Sequence, residues 1–116
     1  MSQLVTDLKA LKDLLADKGN WTQGEFARNA KGGRAAPNSK TAVCWCILGG
    51  LQKVTKQMRT AGPGNTLTRY GAGRAALIGA IHGVCPEHFG AVTNVNDTGG
   101  YRQVKKLINA AIKAAA

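Results

Sequence analysis

The chain has 116 residues, with 16 Lys plus Arg against 6 Asp plus Glu, and 44% of it is hydrophobic but only 5% aromatic. That length suits one compact domain and is short for two, so residues 1–116 read as a single helical domain with a core of Leu, Ile, Val and Ala. The longest near-continuous apolar run, residues 42–51, is about half of the roughly 20 residues a membrane-spanning helix needs, and the first 18 residues alternate charge with Leu instead of forming an apolar signal stretch; no membrane partner and a cytoplasmic location are expected.

Ser2 to Lys18 reads as an amphipathic helix. Leu4, Leu8, Leu11 and Leu15 recur at helical spacing on one stripe, Ser2 can cap the start, and Gly19 follows the last turn. Thr22 and Glu25 have capping-box spacing, which predicts a short helix over Gln23–Asn29 with Trp21 just ahead of it. Ala30 to Ser39 is a basic loop broken by Gly32-Gly33 and Pro37. Lys40 to Arg59 is the predicted central helix: Val43, Ile47, Gly50, Leu51, Val54 and Met58 share a face, and Trp45, Cys46 and Leu48 widen the apolar arc. Gly49-Gly50 would cost it on the order of 2 kcal/mol relative to two Ala residues, a cost that close approach of a neighbouring helix would offset.

A loop around Gly62-Pro63-Gly64 leads to a helix over Leu67–Val84, and Cys85 to Phe89 forms a turn or a single helical turn with Pro86 at its start. Gly90 to Gly100 reads as a loop in which Ala91–Val95 is the expected β element. The last helix runs from about Thr98 to Lys113, capped by Asp97 or Thr98, with Val104, Leu107, Ile108, Ala111 and Ile112 as its stripe. The expected architecture is mainly α: a compact bundle of about four helices plus one short helix, joined by Gly-rich loops. Leu11, Leu15, Val43, Ile47, Leu51, Leu107 and Ile108 should meet in its core.

Three segments stand out together: Trp21-Thr22-Gln23-Gly24-x-Phe26-Ala27-Arg28, the run from Ala42 to Leu51, and Asn96-Asp97 ahead of the closing helix. With these the chain resembles, over most of its length, a family of small bacterial and phage proteins catalogued only as a domain of unknown function, DUF6197. It departs from the family's usual pattern at Val95, where an aromatic residue is usual, and at Thr98-Gly99-Gly100, where a Pro-Gly segment is usual. The resemblance implies one globular domain of bacterial or phage origin and no particular reaction. It singles out Trp21, Thr22, Arg28, Cys46, Asn96 and Asp97 as a candidate motif site.

The net charge of +10 is unevenly spread. No acidic residue lies between Glu25 and Glu87, a stretch that holds Arg28, Lys31, Arg34, Lys40, Lys53, Lys56 and Arg59, and after Asp97 there are only bases, among them Lys105 and Lys106. A field of one sign favours polyanions, so these nine side chains are the candidate phosphate contacts of a nucleic-acid-binding protein. The same charge would suit an acidic protein partner, or serve only as a solvated surface.

An enzyme of Cys-His hydrolase type would gather Cys46, His82 or His88, and Asp97 or Asn96 as nucleophile, base and orienter. Cys46 sits in an apolar run, which raises a thiol pKa, so a buried core thiol and a non-enzymatic protein are expected. The odd count of three Cys argues against a disulfide framework. Cys44 and Cys46 would point about 200° apart on a helix and could not share an ion there, so neither metal nor cofactor is expected.

Overall fold

The computed structural model describes residues 2–57, 68–88 and 91–116. Helix α1 spans Gln3–Leu14, and the Ser2 hydroxyl caps it by accepting from the Val5 backbone N–H at 3.2 Å. The helix ends four residues before Lys18 because its carbonyls find other donors. Asn20 Nδ2 donates to the Leu14 carbonyl at 3.0 Å, and Asp17 accepts from Gly19 N, turning residues 18–20 into a single 3-10 turn. The predicted stripe faces inward, with Leu8, Leu11 and Leu15 fully buried.

The short helix expected over Gln23–Asn29 is absent. Gly24, its second position, has φ +82°, which no α-helix tolerates. Thr22 and Glu25 therefore form no capping box: Thr22 Oγ1 accepts from Arg28 Nε, and Glu25 pairs with Arg34. Ala27–Arg28 forms strand β1 instead, antiparallel to β2, Cys44–Trp45, with Ala27 opposite Trp45 and Arg28 opposite Cys44.

That pairing also shortens the central helix. Helix α2 spans Ile47–Thr55, where Lys40–Arg59 was expected. The backbone before it is committed elsewhere: Val43 N donates to Arg28 O, Cys46 N to Phe26 O, and Trp45 O accepts from Thr22 N. The Trp45 indole donates to the Pro37 carbonyl at 2.9 Å. Val43, expected in the core, is consequently 46% exposed. At the other end Lys56 takes a left-handed conformation, φ 56°, and stops the helix. Met58, Arg59, the Gly62-Pro63-Gly64 loop and Leu67 lie outside the described residues.

Helix α3 spans Arg69–Val84 and is capped by Thr68, whose hydroxyl accepts from Gly71 N at 2.9 Å. A 3-10 turn over Pro86–His88 follows, where a turn was expected. The segment read as a loop with an extended portion is instead helix α4, Val92–Thr98, with Val92, Val95 and Asn96 buried at helical spacing on one face. Helix α5 spans Gly100–Ala115. Neither Asp97 nor Thr98 caps it; the chain passes through Gly99 and turns at Gly100, φ +80°.

Helix α5 packs against α1, α3 and α4, while α2 packs against α1, α3 and α4. Leu11, Leu15, Ile47, Leu51, Leu107 and Ile108 meet in the core as expected, joined by Tyr70, Leu77, Ile81 and Val104. Two glycines let the helices close up: a Cβ on Gly50 would meet Leu11 at 2.8 Å, and one on Gly73 would meet Leu51 at 2.8 Å. The buried Asp7 carboxylate ties α1 to α3 through a bidentate contact with Arg69, at 2.6 and 3.0 Å. No helix among the described residues is long and apolar enough to cross a membrane.

Candidate functional site

The first N–H groups of a helix have no partner inside it. At the start of α2 two such groups are met by side chains. Cys46 Sγ accepts from Gly49 N at 3.3 Å, and Asn96 Oδ1 accepts from Ile47 N at 3.0 Å. The same Asn96 oxygen accepts from the Trp21 indole at 2.8 Å. Its amide nitrogen donates to Thr22 O at 3.0 Å and to Asp97 Oδ1 at 2.9 Å. Asn96 is 1% exposed, and both of its acceptor positions and both of its donors are filled.

Around this amide the loop after α1 is held shut. Asp97 Oδ1 also accepts from Gly24 N at 3.0 Å, and Gln23 Nε2 reaches the carbonyls of Asn96 and Asp97. Arg28 braces the loop from the far side, donating to Thr22 Oγ1, Gly32 O and Gln23 O, each at 3.0 Å. The six motif residues Trp21, Thr22, Arg28, Cys46, Asn96 and Asp97 thus belong to one connected region. Asp97 was expected to cap the last helix, and its carboxylate instead ties α4 to the loop.

A cavity of about 140 Å³ opens beside the junction. Glu25, Cys46, Thr93, Asn96 and Asp97 supply its polar lining, and Phe26, Leu48 and Val92 its apolar walls. Burial pushes the Cys46 thiol up to about 11, an effect to which the Asp97 charge adds and which N–H donors at the helix start oppose. No imidazole lines the cavity. His82 is exposed on α3, and His88 Nε2 lies 3.0 Å from Gln103 Oε1. The cysteine, histidine and carboxylate or amide of the enzyme reading are therefore not assembled, and the thiol stays protonated at neutral pH. Cys44, Cys46 and Cys85 are free thiols, and among the described residues no group of three His, Cys, Asp or Glu side chains is placed to hold a metal ion.

The thiol gives a direct test. In the native protein Cys46 should resist alkylation at pH 7.5 and react on unfolding. Because folding raises its pKa from 9.0 to about 11, its contribution to stability is level below pH 9 and is lost as pH rises from 9 to 11. Urea melts across that range should therefore fall more steeply for the native sequence than for Cys46→Ala. Rapid native alkylation at pH 7.5 would refute the assignment.

The basic side chains divide into two sets. Arg28 is spent inside the loop, and Arg34 is bonded to Glu25 at 2.9 Å. Lys31, Lys40 and Lys56 are exposed, the Lys53 ammonium lies 6.0 Å from the Trp45 ring, and Arg59 is outside the described residues. Lys105 and Lys106 stand on the exposed side of α5 together with Arg102 and Lys113. At 100° per residue these four fall within an arc of about 100°. Helix α5 has no acidic residue. Lys12 of α1 joins Lys105 and Asn109 along a groove of about 160 Å³ between the two helices.

Sequence reasoning missed Lys12 and Asn109 as members of that surface, whereas Arg102 and Lys113 were legible with Lys105 and Lys106 in the base-only stretch after Asp97. It also missed Glu25 and Thr93 at the cavity. Thr93 gave no signal, because its segment read as a loop.

No curated protein and no solved structure matches the chain. The family model described as "Family of unknown function (DUF6197)" matches residues 1–114, and the chain belongs to that family.

Proposed function

We propose that the protein is a small, basic, non-enzymatic binding protein that contacts nucleic acid through phosphates. The observation that supports this reading is the one-sided charge of α5, whose exposed arc carries Arg102, Lys105, Lys106 and Lys113 with no carboxylate among them. Lys12 and Asn109 extend the surface with further donors across the α1–α5 groove. Lys and Arg side chains on a helical ridge neutralise phosphates and release counterions, which gives affinity without base reading. Lys31, Lys40, Lys53 and Lys56 are left as secondary contacts, since Arg28 and Arg34 have partners within the protein.

Fluorescence anisotropy with mixed-sequence DNA and RNA tests the reading. Four phosphate contacts predict a loss of about 100-fold in affinity between about 50 and 200 mM salt. Lys105→Glu with Lys106→Glu should weaken binding to every sequence and lower the salt slope by about two. Absence of binding at about 50 mM salt ends the proposal and leaves an acidic protein partner as the reading to pursue, by affinity capture from the source cell.

A further inference from the structure

The cavity beside Asn96 has the opposite character to the rest of this cationic molecule. Two of the chain's six Asp and Glu side chains line it, and among the described residues no Lys or Arg does. Glu25 is neutralised by Arg34, which leaves Asp97 as the net charge at the cavity. Asp97 Oδ1 is taken by Gly24 N and Asn96 Nδ2, while Oδ2 has no donor among the described residues. The second open group is the Cys46 thiol. It is 6% exposed, its sulfur accepts from Gly49 N, and its S–H has no acceptor among the described residues.

An anion is poorly served here. The α2 terminus would be the natural donor, but Ile47 N is already given to Asn96 and Gly49 N to Cys46, and Leu48 N is also directed at the Cys46 sulfur. What remains is a carboxylate oxygen, a thiol, the Thr93 side chain and the apolar walls of Phe26, Leu48 and Val92. The volume of about 140 Å³ is close to that of an engineered apolar cavity of roughly 150 Å³ that takes up benzene. Apolar walls with a few convergent polar groups are the usual make-up of a small-molecule site.

We propose that this cavity binds a small primary ammonium ion with a compact apolar body of about six heavy atoms. The ammonium would sit at Asp97, donating to the open carboxylate oxygen, and the apolar body would lie between Phe26, Leu48 and Val92. Pairing with a carboxylate selects the cation, and the wall size selects the body.

Amide-resolved NMR titration of the whole protein at pH 7 tests this, with benzylamine as probe and benzyl alcohol and benzoate as its neutral and anionic counterparts. Benzylamine should give saturable shifts at Gly24, Leu48 and Thr93. Benzyl alcohol should bind at least about 10-fold more weakly, as expected for loss of one charge-assisted hydrogen bond, and benzoate should leave these amides unmoved. Thr93→Lys, at an exposed position, would place a tethered ammonium at the mouth and should weaken benzylamine at least about 10-fold, with the remaining amide pattern unchanged. The proposal fails if benzylamine gives no saturable shift up to about 50 mM, near the weak end of fragment binding, if the alcohol binds as well as the amine, or if Thr93→Lys binds unchanged.

Discussion

Asn96→Ala should destabilise the protein by about 4 kcal/mol and lower its melting temperature by about 15 °C. The substitution removes four hydrogen bonds made by one buried amide. It strands the Trp21 indole N–H, the Ile47 N–H and the Thr22 carbonyl where water has little access. At about 1 kcal/mol per lost bond the total is large for a domain whose whole stability is about 5–15 kcal/mol. Asn96→Asp separates chemistry from shape. It keeps both acceptor bonds but sets a carboxylate oxygen against Thr22 O and Asp97 Oδ1. It should be as damaging as Ala at pH 7 and recover as acid protonates the new carboxyl. Urea melts of the two variants at pH 7 and pH 4 provide the check; a loss under about 1 kcal/mol for Asn96→Ala would contradict the role assigned to the amide.

Gly49→Ala should also be severely destabilising. A Cβ there would lie 1.8 Å from the Phe26 carbonyl oxygen and 2.6 Å from its carbon. The obstacle is backbone, and that carbonyl accepts from Cys46 N at 3.1 Å, so it cannot move without breaking the entry to α2. The cost should be about 3 kcal/mol or more, at the upper end for overpacking. Gly79→Ala is the control. Gly79 is also helical, but a Cβ there meets nothing within 4 Å. Ala should stabilise that exposed stretch of α3 by roughly 0.5–1 kcal/mol. Thermal unfolding of the pair should move in opposite directions, and equal shifts would disprove the close-approach argument.

The parts of the fold legible in the sequence are those whose signal is local. Leu4, Leu8, Leu11 and Leu15 repeat at the helical period, and the helix they predict differs from α1 only at its C-terminal end. The stripe of α5 is equally plain. The apolar run from Ala42 to Leu51 misled because its first half is bound to β1 and to Pro37, partners that periodicity does not see. Gly24 defeated a capping box that its neighbours spelled out, through a backbone angle that side-chain types do not encode. Val92-Thr93-Asn94-Val95 carries β-branched residues suited to an extended strand. Burial of Val92, Val95 and Asn96 together selects the helix.

The candidate site was half legible. Trp21, Thr22, Arg28, Cys46, Asn96 and Asp97 were named from the family resemblance, and they do lie together. Their roles were not readable. Arg28 looked like a phosphate contact and is a brace within the loop. The Cys46 reading was right about burial, but the residue sits at a helix entrance lining a cavity, not within the middle of a helix. Glu25 and Thr93 join the site only because the loop and α4 meet, and no spacing along the chain announces that.

The Asn96 amide also sets an order in time. Its partners Trp21 and Ile47 precede it by 75 and 49 residues. A ribosome adding about 5–20 residues per second takes about 4 to 15 s to travel from Trp21 to Asn96. Until Asn96 is made the loop after α1 lacks its latch, and from the time Ile47 is made its N–H lacks its side-chain acceptor. Local stretches such as α1 are able to form early, since their contacts are near in sequence. The cavity can close only once α4 has emerged, with α5 still to follow. A chain cut short before Asn96 would carry α1, α2 and α3 and most of the cavity's lining residues, but not the amide and carboxylate that tie the loop to α4.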